Sequence, residues 1–206
     1  MNYIKNREQE YKLKIPLYRQ TLPTSCGSTC MLMVGNYFFP KKFFLNTDQE
    51  KKIHELFRFW KNGEGGDFEN MAKILSFARK KGFKVSYFLD GPRGKPKEIN
   101  ENLWRRYLKL FLGTLKKEEA KGLRIIKHFN PEDLLAEIVQ GRPLLCEVKF
   151  KEGVTHMVVL RGFKNNVVYL IDPLIGYCHM LREDFFKSLN LGYMKNAFSI
   201  TPLKKV

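Results

Sequence analysis

The sequence predicts an α+β fold in which an N-terminal helix packs on an antiparallel sheet. Residues 26–38 carry apolar side chains at three- and four-residue spacing, which is typical of a helix with one buried face. The segments 155–163 and 167–172 are apolar runs separated by a short polar stretch, as in an antiparallel hairpin. A strand-like run over 143–150 extends the predicted sheet.

The first half of the chain continues with extended and helical patterns. Residues 11–19 alternate apolar and basic side chains, which favours a strand or an extended lead-in. A helix is predicted over about 48–60, and Asp67 has the position of an N-cap for a second helix that ends at Gly82. The run 83–89 then predicts a strand.

Residues 91–130 differ in composition from the rest of the chain. They hold eleven Lys/Arg and four Asp/Glu, and eleven minus four gives +7 of the net charge of +16. We expect a basic helical insertion here, within a single domain that spans residues 1–206. Its aromatic stripe favours packing on that domain, and a lid or a partner-binding element is the functional alternative.

The last third of the chain begins with a strong helix start. Asn130 supplies a cap and Pro131 the first helical position, and the helix should end at Gly141. A final strand is predicted near residues 193–201. With the hairpin and the run over 143–150, this completes the predicted antiparallel sheet.

Cys26 has the position of a nucleophile at a helix N-terminus. Pro23, Thr24 and Ser25 break regular structure before it and supply an N-cap. The helix dipole favours a thiolate there, but activation also requires a nearby imidazolium. The alternatives are a buried structural cysteine and, against the usual spacing of paired ligands, a zinc site that includes Cys30.

His156 is the histidine that the strand pattern places best for this task. We predict a three-residue loop over 164–166, because asparagine tolerates the backbone that short turns require. In that register Asp172 lies opposite Val158, so His156 and Asp172 become diagonal neighbours on one face of the hairpin. A purely turn-forming role before proline is the alternative for Asp172.

At this point the sequence resembles the bacteriocin-leader-processing (double-glycine) peptidases and their stand-alone relatives in the papain-like cysteine peptidase clan. In one block a glutamine is followed after five residues by Cys-Gly, with a second cysteine one helical turn later. In the other, a histidine begins an apolar strand, and Asp-Pro follows a short turn. The residues that carry the resemblance are Gln20, Cys26, Gly27, Cys30, His156, Asp172, Pro173 and Gly176.

The resemblance implies a papain-like fold and a thiol-dependent hydrolase, specifically a cysteine peptidase acting on a peptide or protein without a cofactor or metal. It implies Cys26 as the nucleophile, His156 as the base and then the acid, Asp172 as the group that orients the imidazole, and Gln20 as the oxyanion donor. An acyl transferase, a glutamine deamidase and a non-catalytic peptide- or polyanion-binding domain are the alternatives. The family usually has an acidic residue before the first cysteine and an alanine before the second, where this chain has Ser25 and Thr29.

The composition bounds the cellular context. The 206 residues include no apolar signal segment and no apolar run of membrane-spanning length, so a cytoplasmic protein without transporter segments, with reduced thiols, is expected. The net charge of +16 favours acidic partners such as polyanions, anionic membrane surface or acidic peptides. Nucleic acid ranks below the peptide substrate, because no RNA- or DNA-binding signature accompanies the charge.

Overall fold

A computed structural model of the chain describes residues 10–58, 70–92, 100–149, 155–190 and 194–203. Its helices are α1 (Cys26–Phe38), α2 (Thr47–Phe57), α3 (Met71–Lys80), α4 (Glu101–Ala120), α5 (Pro131–Val139) and α6 (Arg182–Asn190). Its strands are β1 (Tyr11–Lys12), β2 (Phe83–Pro92), β3 (Arg124–Ile126), β4 (Leu144–Lys149), β5 (Thr155–Lys164), β6 (Val167–Asp172), β7 (Gly176–Leu181) and β8 (Met194–Pro202).

The strands form one mixed but mostly antiparallel sheet, which confirms the predicted α+β class. The strand order is β3-β2-β8-β4-β5-β6-β7, and β1 pairs with β5 on the side. Among the described strands, β2 and β3 form the parallel pair. Strand β8, the last of the described strands in the chain, therefore lies between β2 and β4 in the middle of the sheet.

Helices cover both faces of this sheet. Alternate residues of its strands divide between two buried clusters, as the two-residue period of a strand requires. Val159 packs with α1 to α4 in one cluster, and Val158 packs with α5 and α6 in the other. The sequence anticipated a sheet behind the cysteine-bearing helix, and the structure adds a second helical layer on the far side.

The β5–β6 hairpin corrects the predicted loop. Lys164 pairs with Val167, so the loop has two residues rather than three, and Asn165 adopts the left-handed φ of 50°. A bulge between Leu160 and Gly162 then shifts the register by one residue. Val159 consequently pairs with Ile171. Asp172, the next residue of β6, therefore lies on the face that was predicted from a three-residue loop.

The lead-in segment is held against this bulge. Tyr11 and Lys12 pair with Phe163 and Gly162 of β5. A Cβ on Gly162 would lie 2.3 Å from the Tyr11 carbonyl oxygen, so only glycine permits this close approach. The bulge and the glycine together set the path of the chain that continues toward Gln20.

Helices α3 and α4 both correspond to helices that the sequence predicts. Asp67, the predicted N-cap, lies outside the described residues, and α3 begins at Met71, where the Asn70 side chain accepts from the N–H groups of Ala72 and Lys73. In α4, the predicted aromatic stripe is buried, with Trp104 stacked on Tyr107. That residues 91–130 form an insertion stays a prediction.

None of the helices in the described ranges combines the length and hydropathy needed to cross a bilayer.

Candidate active site

Cys26 is the first residue of α1, and its side chain is half-buried against the core. The prediction of a helix-opening cysteine is confirmed, but the predicted side-chain cap is wrong. Ser25 occupies the N-cap position without capping, because its hydroxyl lies 2.8 Å from the Leu22 carbonyl oxygen and 2.6 Å from a carboxylate oxygen of Glu50. The amide dipoles at this helix start still favour negative charge on the sulfur.

Gln20 lies beside the turn that follows β6. Its backbone N–H donates to the carbonyl oxygen of Pro173 over 2.8 Å. Nε2 of its side chain donates to the Leu22 carbonyl oxygen over 3.1 Å, and its Oε1 is buried with no donor among the described residues. The contact with Leu22 fixes which end of the amide is the donor, because the reversed amide would set two acceptors against each other.

His156 and Asp172 are in direct contact. Nε2 of the imidazole lies 2.9 Å from Oδ1 of the carboxylate, and both side chains are nearly buried, with 12% and 6% of their surfaces exposed. The same Oδ1 accepts from the backbone N–H groups of Leu174 at 2.7 Å and Ile175 at 3.3 Å. Asp172 therefore forms the turn and contacts the histidine as well.

The ionised form of Asp172 is favoured despite burial. Burial alone raises the pKa of this carboxyl group, but the hydrogen bond and charge of His156 and the two backbone N–H groups lower the pKa below its ordinary value. A carboxylate that stays ionised at neutral pH can hold an imidazole in one orientation and stabilise its protonated form.

The packing of α1 on β5 relates Cys26 to these groups. The Sγ of Cys30, one helical turn after Cys26, lies 3.4 Å from the carbonyl oxygen of Met157, the residue next to His156. The backbone N–H of Gln20 donates a hydrogen bond to Pro173, the residue after Asp172. The helix of Cys26 is thus in contact with the residue next to His156, and Gln20 is in contact with the residue next to Asp172.

The sequence did not indicate Glu50, whose carboxylate accepts hydrogen bonds from five residues near this site. It is fully buried on α2, and its carboxylate accepts from Tyr18, Thr21, Leu22, Ser25 and Thr29. Local sequence shows only an acidic residue in the first turn of a helix, a common surface arrangement.

Among the described residues, no group of three or more His, Cys, Asp or Glu side chains is arranged so that it could hold a metal ion.

Comparison with known proteins assigns the chain to a family. The sequence model described as the Peptidase C39-like family matches residues 12–188. The chain belongs to the Peptidase C39-like family. No curated protein matches the sequence.

Two solved structures of peptidases share this fold. A double glycine motif protease from an AMS/PCAT transporter, solved in complex with the leader peptide, is 19% identical, covers 93% of this chain and 94% of its own, and gives a TM-score of 0.56. The peptidase domain of Streptococcus ComA, a bifunctional ABC transporter involved in quorum sensing, is 17% identical over 93% of this chain and 98% of its own, with a TM-score of 0.53. Family and fold together support a cysteine peptidase.

Proposed function

We propose that this C39-like protein hydrolyses peptide bonds, with Cys26 as the nucleophile and His156, Asp172 and Gln20 as its partners. The hydrogen bond of 2.9 Å between His156 and Asp172 carries the proposal. It joins a buried carboxylate to an imidazole on the strand against which the cysteine helix packs. A catalytic cysteine uses such a carboxylate–imidazole pair nearby, whereas a structural cysteine does not require one.

Before the attack on the substrate, the thiol proton of Cys26 moves to His156, which leaves a thiolate. The contact of Nε2 with Asp172 assigns this proton exchange to the other ring nitrogen, Nδ1. The thiolate adds to the carbonyl carbon, and the π electrons of the carbonyl become a negative charge on its oxygen. The Gln20 amide and the Cys26 backbone N–H donate to that oxygen, a kind of stabilisation worth about 3–4 kcal/mol for one donor.

Breakdown of this intermediate completes the reaction. The C–N bond breaks as His156 protonates the leaving amine, which leaves an acyl group on the Cys26 sulfur as a thioester. Water then attacks the thioester while His156 accepts its proton, and the carboxylic acid and the free thiol are released. One N–H of the Gln20 amide is fixed on Leu22, and the proposal assigns the other to the oxyanion.

The substrate we propose is a peptide segment bound in extended form across this end of the molecule. The double glycine motif protease with a similar fold was solved with a leader peptide. From the similarity to that double glycine motif protease, we expect a small residue before the scissile bond. The wider family of acyl-transfer reactions uses the same groups and differs in the acceptor of the acyl group.

An alkylation experiment tests the nucleophile. A peptide chloromethyl ketone that ends in Gly-Gly should attach to Cys26, and peptide mapping by mass spectrometry identifies the modified residue. Cys178 is an internal control because, like Cys26, it is a half-buried cysteine that forms no disulfide. Labelling of Cys26 should fall by at least about 100-fold in His156→Ala, since the imidazole supplies the base. Equal labelling of both cysteines, or full labelling of Cys26 in His156→Ala, contradicts the proposal.

A further inference from the structure

The carboxylate of Glu50 binds the short segment that connects Gln20 to Cys26. Glu50 is 0% exposed and lies on α2, outside that segment. Its two oxygens accept hydrogen bonds from both backbone N–H groups and side-chain hydroxyls of the segment. The donors are Tyr18 Oη at 3.0 Å, Thr21 N at 2.9 Å, Thr21 Oγ1 at 2.7 Å, Leu22 N at 3.2 Å, Ser25 Oγ at 2.6 Å and, on α1, Thr29 Oγ1 at 3.3 Å.

Two of these donors adjoin the two groups that the reaction needs. Thr21 follows Gln20 directly, and Ser25 precedes Cys26 directly. Leu22 links them, because its N–H donates to Glu50 while its carbonyl oxygen accepts from the Gln20 amide at 3.1 Å. A shift of Leu22 would therefore move the proposed oxyanion donor itself.

We propose that Glu50 is a positioning residue, which holds the turn 21–25 so that the Gln20 amide stays directed at the oxyanion beside the Cys26 sulfur. This inference rests on the proposed function. It assigns Glu50 no contact with the substrate, and its effect is transmitted through Leu22 and Gln20.

The ionised form of Glu50 is the form that fits its surroundings. Burial raises the pKa of this carboxyl group, but the hydrogen bonds from Ser25, from Thr21 and from the Leu22 backbone outweigh burial and lower the pKa below its ordinary value. A glutamine at this position would replace one acceptor oxygen with an NH2 group that faces other donors. The turn would lose an anchor, although the volume of the side chain hardly changes.

Glu50→Gln should separate oxyanion binding from thiol reactivity. Removal of a negative charge near Cys26 does not disfavour the thiolate, so simple alkylation should not slow. Binding of a tetrahedral adduct should weaken, because that adduct needs the Gln20 amide in place. A peptide aldehyde forms such an adduct reversibly: the Cys26 sulfur bonds to the aldehyde carbon, and the former carbonyl oxygen, carrying the π electrons, becomes the oxyanion or, with the thiol proton, a hydroxyl.

The experiment uses acetyl-glycyl-glycinal as the aldehyde and iodoacetamide as the alkylating reagent. Mass spectrometry follows alkylation of Cys26, and protection by the aldehyde gives its affinity. In Glu50→Gln the affinity should fall by at least about tenfold, as for a misplaced oxyanion donor, while alkylation without aldehyde is at least as fast as in the wild type. Glu50→Gln should add no further loss in a Gln20→Ala background, because both changes act on one interaction.

Glu137→Gln is the matched control. Glu137 is also a buried carboxylate and accepts from Ser199 at 2.6 Å and from Arg142 at 3.2 Å, but it lies on α5, which packs in the other core cluster. This variant should keep the wild-type aldehyde affinity. If it loses as much affinity as Glu50→Gln, the loss reflects general destabilisation and the inference is overturned.

Other outcomes also decide the matter. Wild-type affinity in folded Glu50→Gln, or an equal loss with and without Gln20, overturns the inference. If Glu50→Gln does not fold, Thr21→Val removes one hydroxyl donor to Glu50 while preserving shape, and wild-type aldehyde affinity in that variant also overturns it. A wild-type protein whose Cys26 binds no aldehyde overturns the proposed function instead.

Discussion

Oδ1 of Asp172 accepts hydrogen bonds of two kinds. It binds the imidazole of His156, and it binds the backbone N–H groups of Leu174 and Ile175. The sequence left open whether this residue forms a turn or orients the histidine, and the contacts allow both. A substitution that keeps one oxygen in this place should therefore differ sharply from one that removes it.

Asp172→Asn should retain much more activity than Asp172→Ala. Asparagine keeps an oxygen that can accept all three hydrogen bonds but lacks the charge, so we expect a loss in kcat of up to about tenfold. Alanine leaves the histidine unoriented and should cost at least about 100-fold. Peptide hydrolysis measured on both variants checks the ratio, and equal losses would mean that the carboxylate charge, not its position, matters.

Each of the four candidate residues lies in a short local pattern, which is why the sequence alone suggests them. Gln20 and Cys26 are six positions apart, and His156 begins a recognisable strand. Glu50 is different, since its hydrogen-bond partners are 21 to 32 positions away in sequence. Its role depends on how α2 packs against the lead-in, and no local spacing reports that packing.

At the scale of secondary structure, the β5–β6 hairpin separates what a local pattern can and cannot predict. The face on which His156 and Asp172 lie was correct, because burial of apolar side chains constrains it along the whole strand. The loop length was wrong, because a two-residue loop combined with a bulge gives the same register as a three-residue loop. The one sign of the bulge in the sequence is Gly162, which lies beside it where β1 approaches β5.

Several elements were not anticipated for related reasons. Strand β3 has three residues and β7 is largely exposed along one face, so neither shows the apolar run that predicts a buried strand. Helix α6 directly follows β7 without a separating loop. At the start of α3, Asn70 is the cap in the structure, while Asp67, the predicted cap, lies outside the described residues.

For the whole molecule, buried carboxylates make stability depend on pH. The pKa of Glu118 is lowered because hydrogen bonds and charge from Ser76, Lys121 and Arg79 outweigh burial, which alone would raise it. Glu50 and Asp172 are shifted in the same direction. Around the ordinary carboxyl pKa the folded chain then binds fewer protons than the unfolded chain, so acid favours unfolding.

The free energy of unfolding in urea should thus hold at neutral pH, begin to fall near the ordinary glutamate pKa of 4.5, and continue to fall as the pH passes through the lowered values. Glu118→Gln removes one of these groups on α4, a helix that holds none of the candidate site residues. Its stability should be lower at neutral pH but should change less with acid than that of the wild type. An identical slope in the variant would show that Glu118 does not contribute to the acid sensitivity.

We propose that Cys26 transfers the acyl group of a peptide to water. The most direct measurement is hydrolysis of a peptide library that includes Gly-Gly sequences, carried out in H₂¹⁸O and followed by mass spectrometry. New carboxyl termini that carry ¹⁸O should form in the wild type and in Cys178→Ala, and none should form in Cys26→Ala. Cleavage that continues unchanged in Cys26→Ala would show that Cys26 is not the nucleophile.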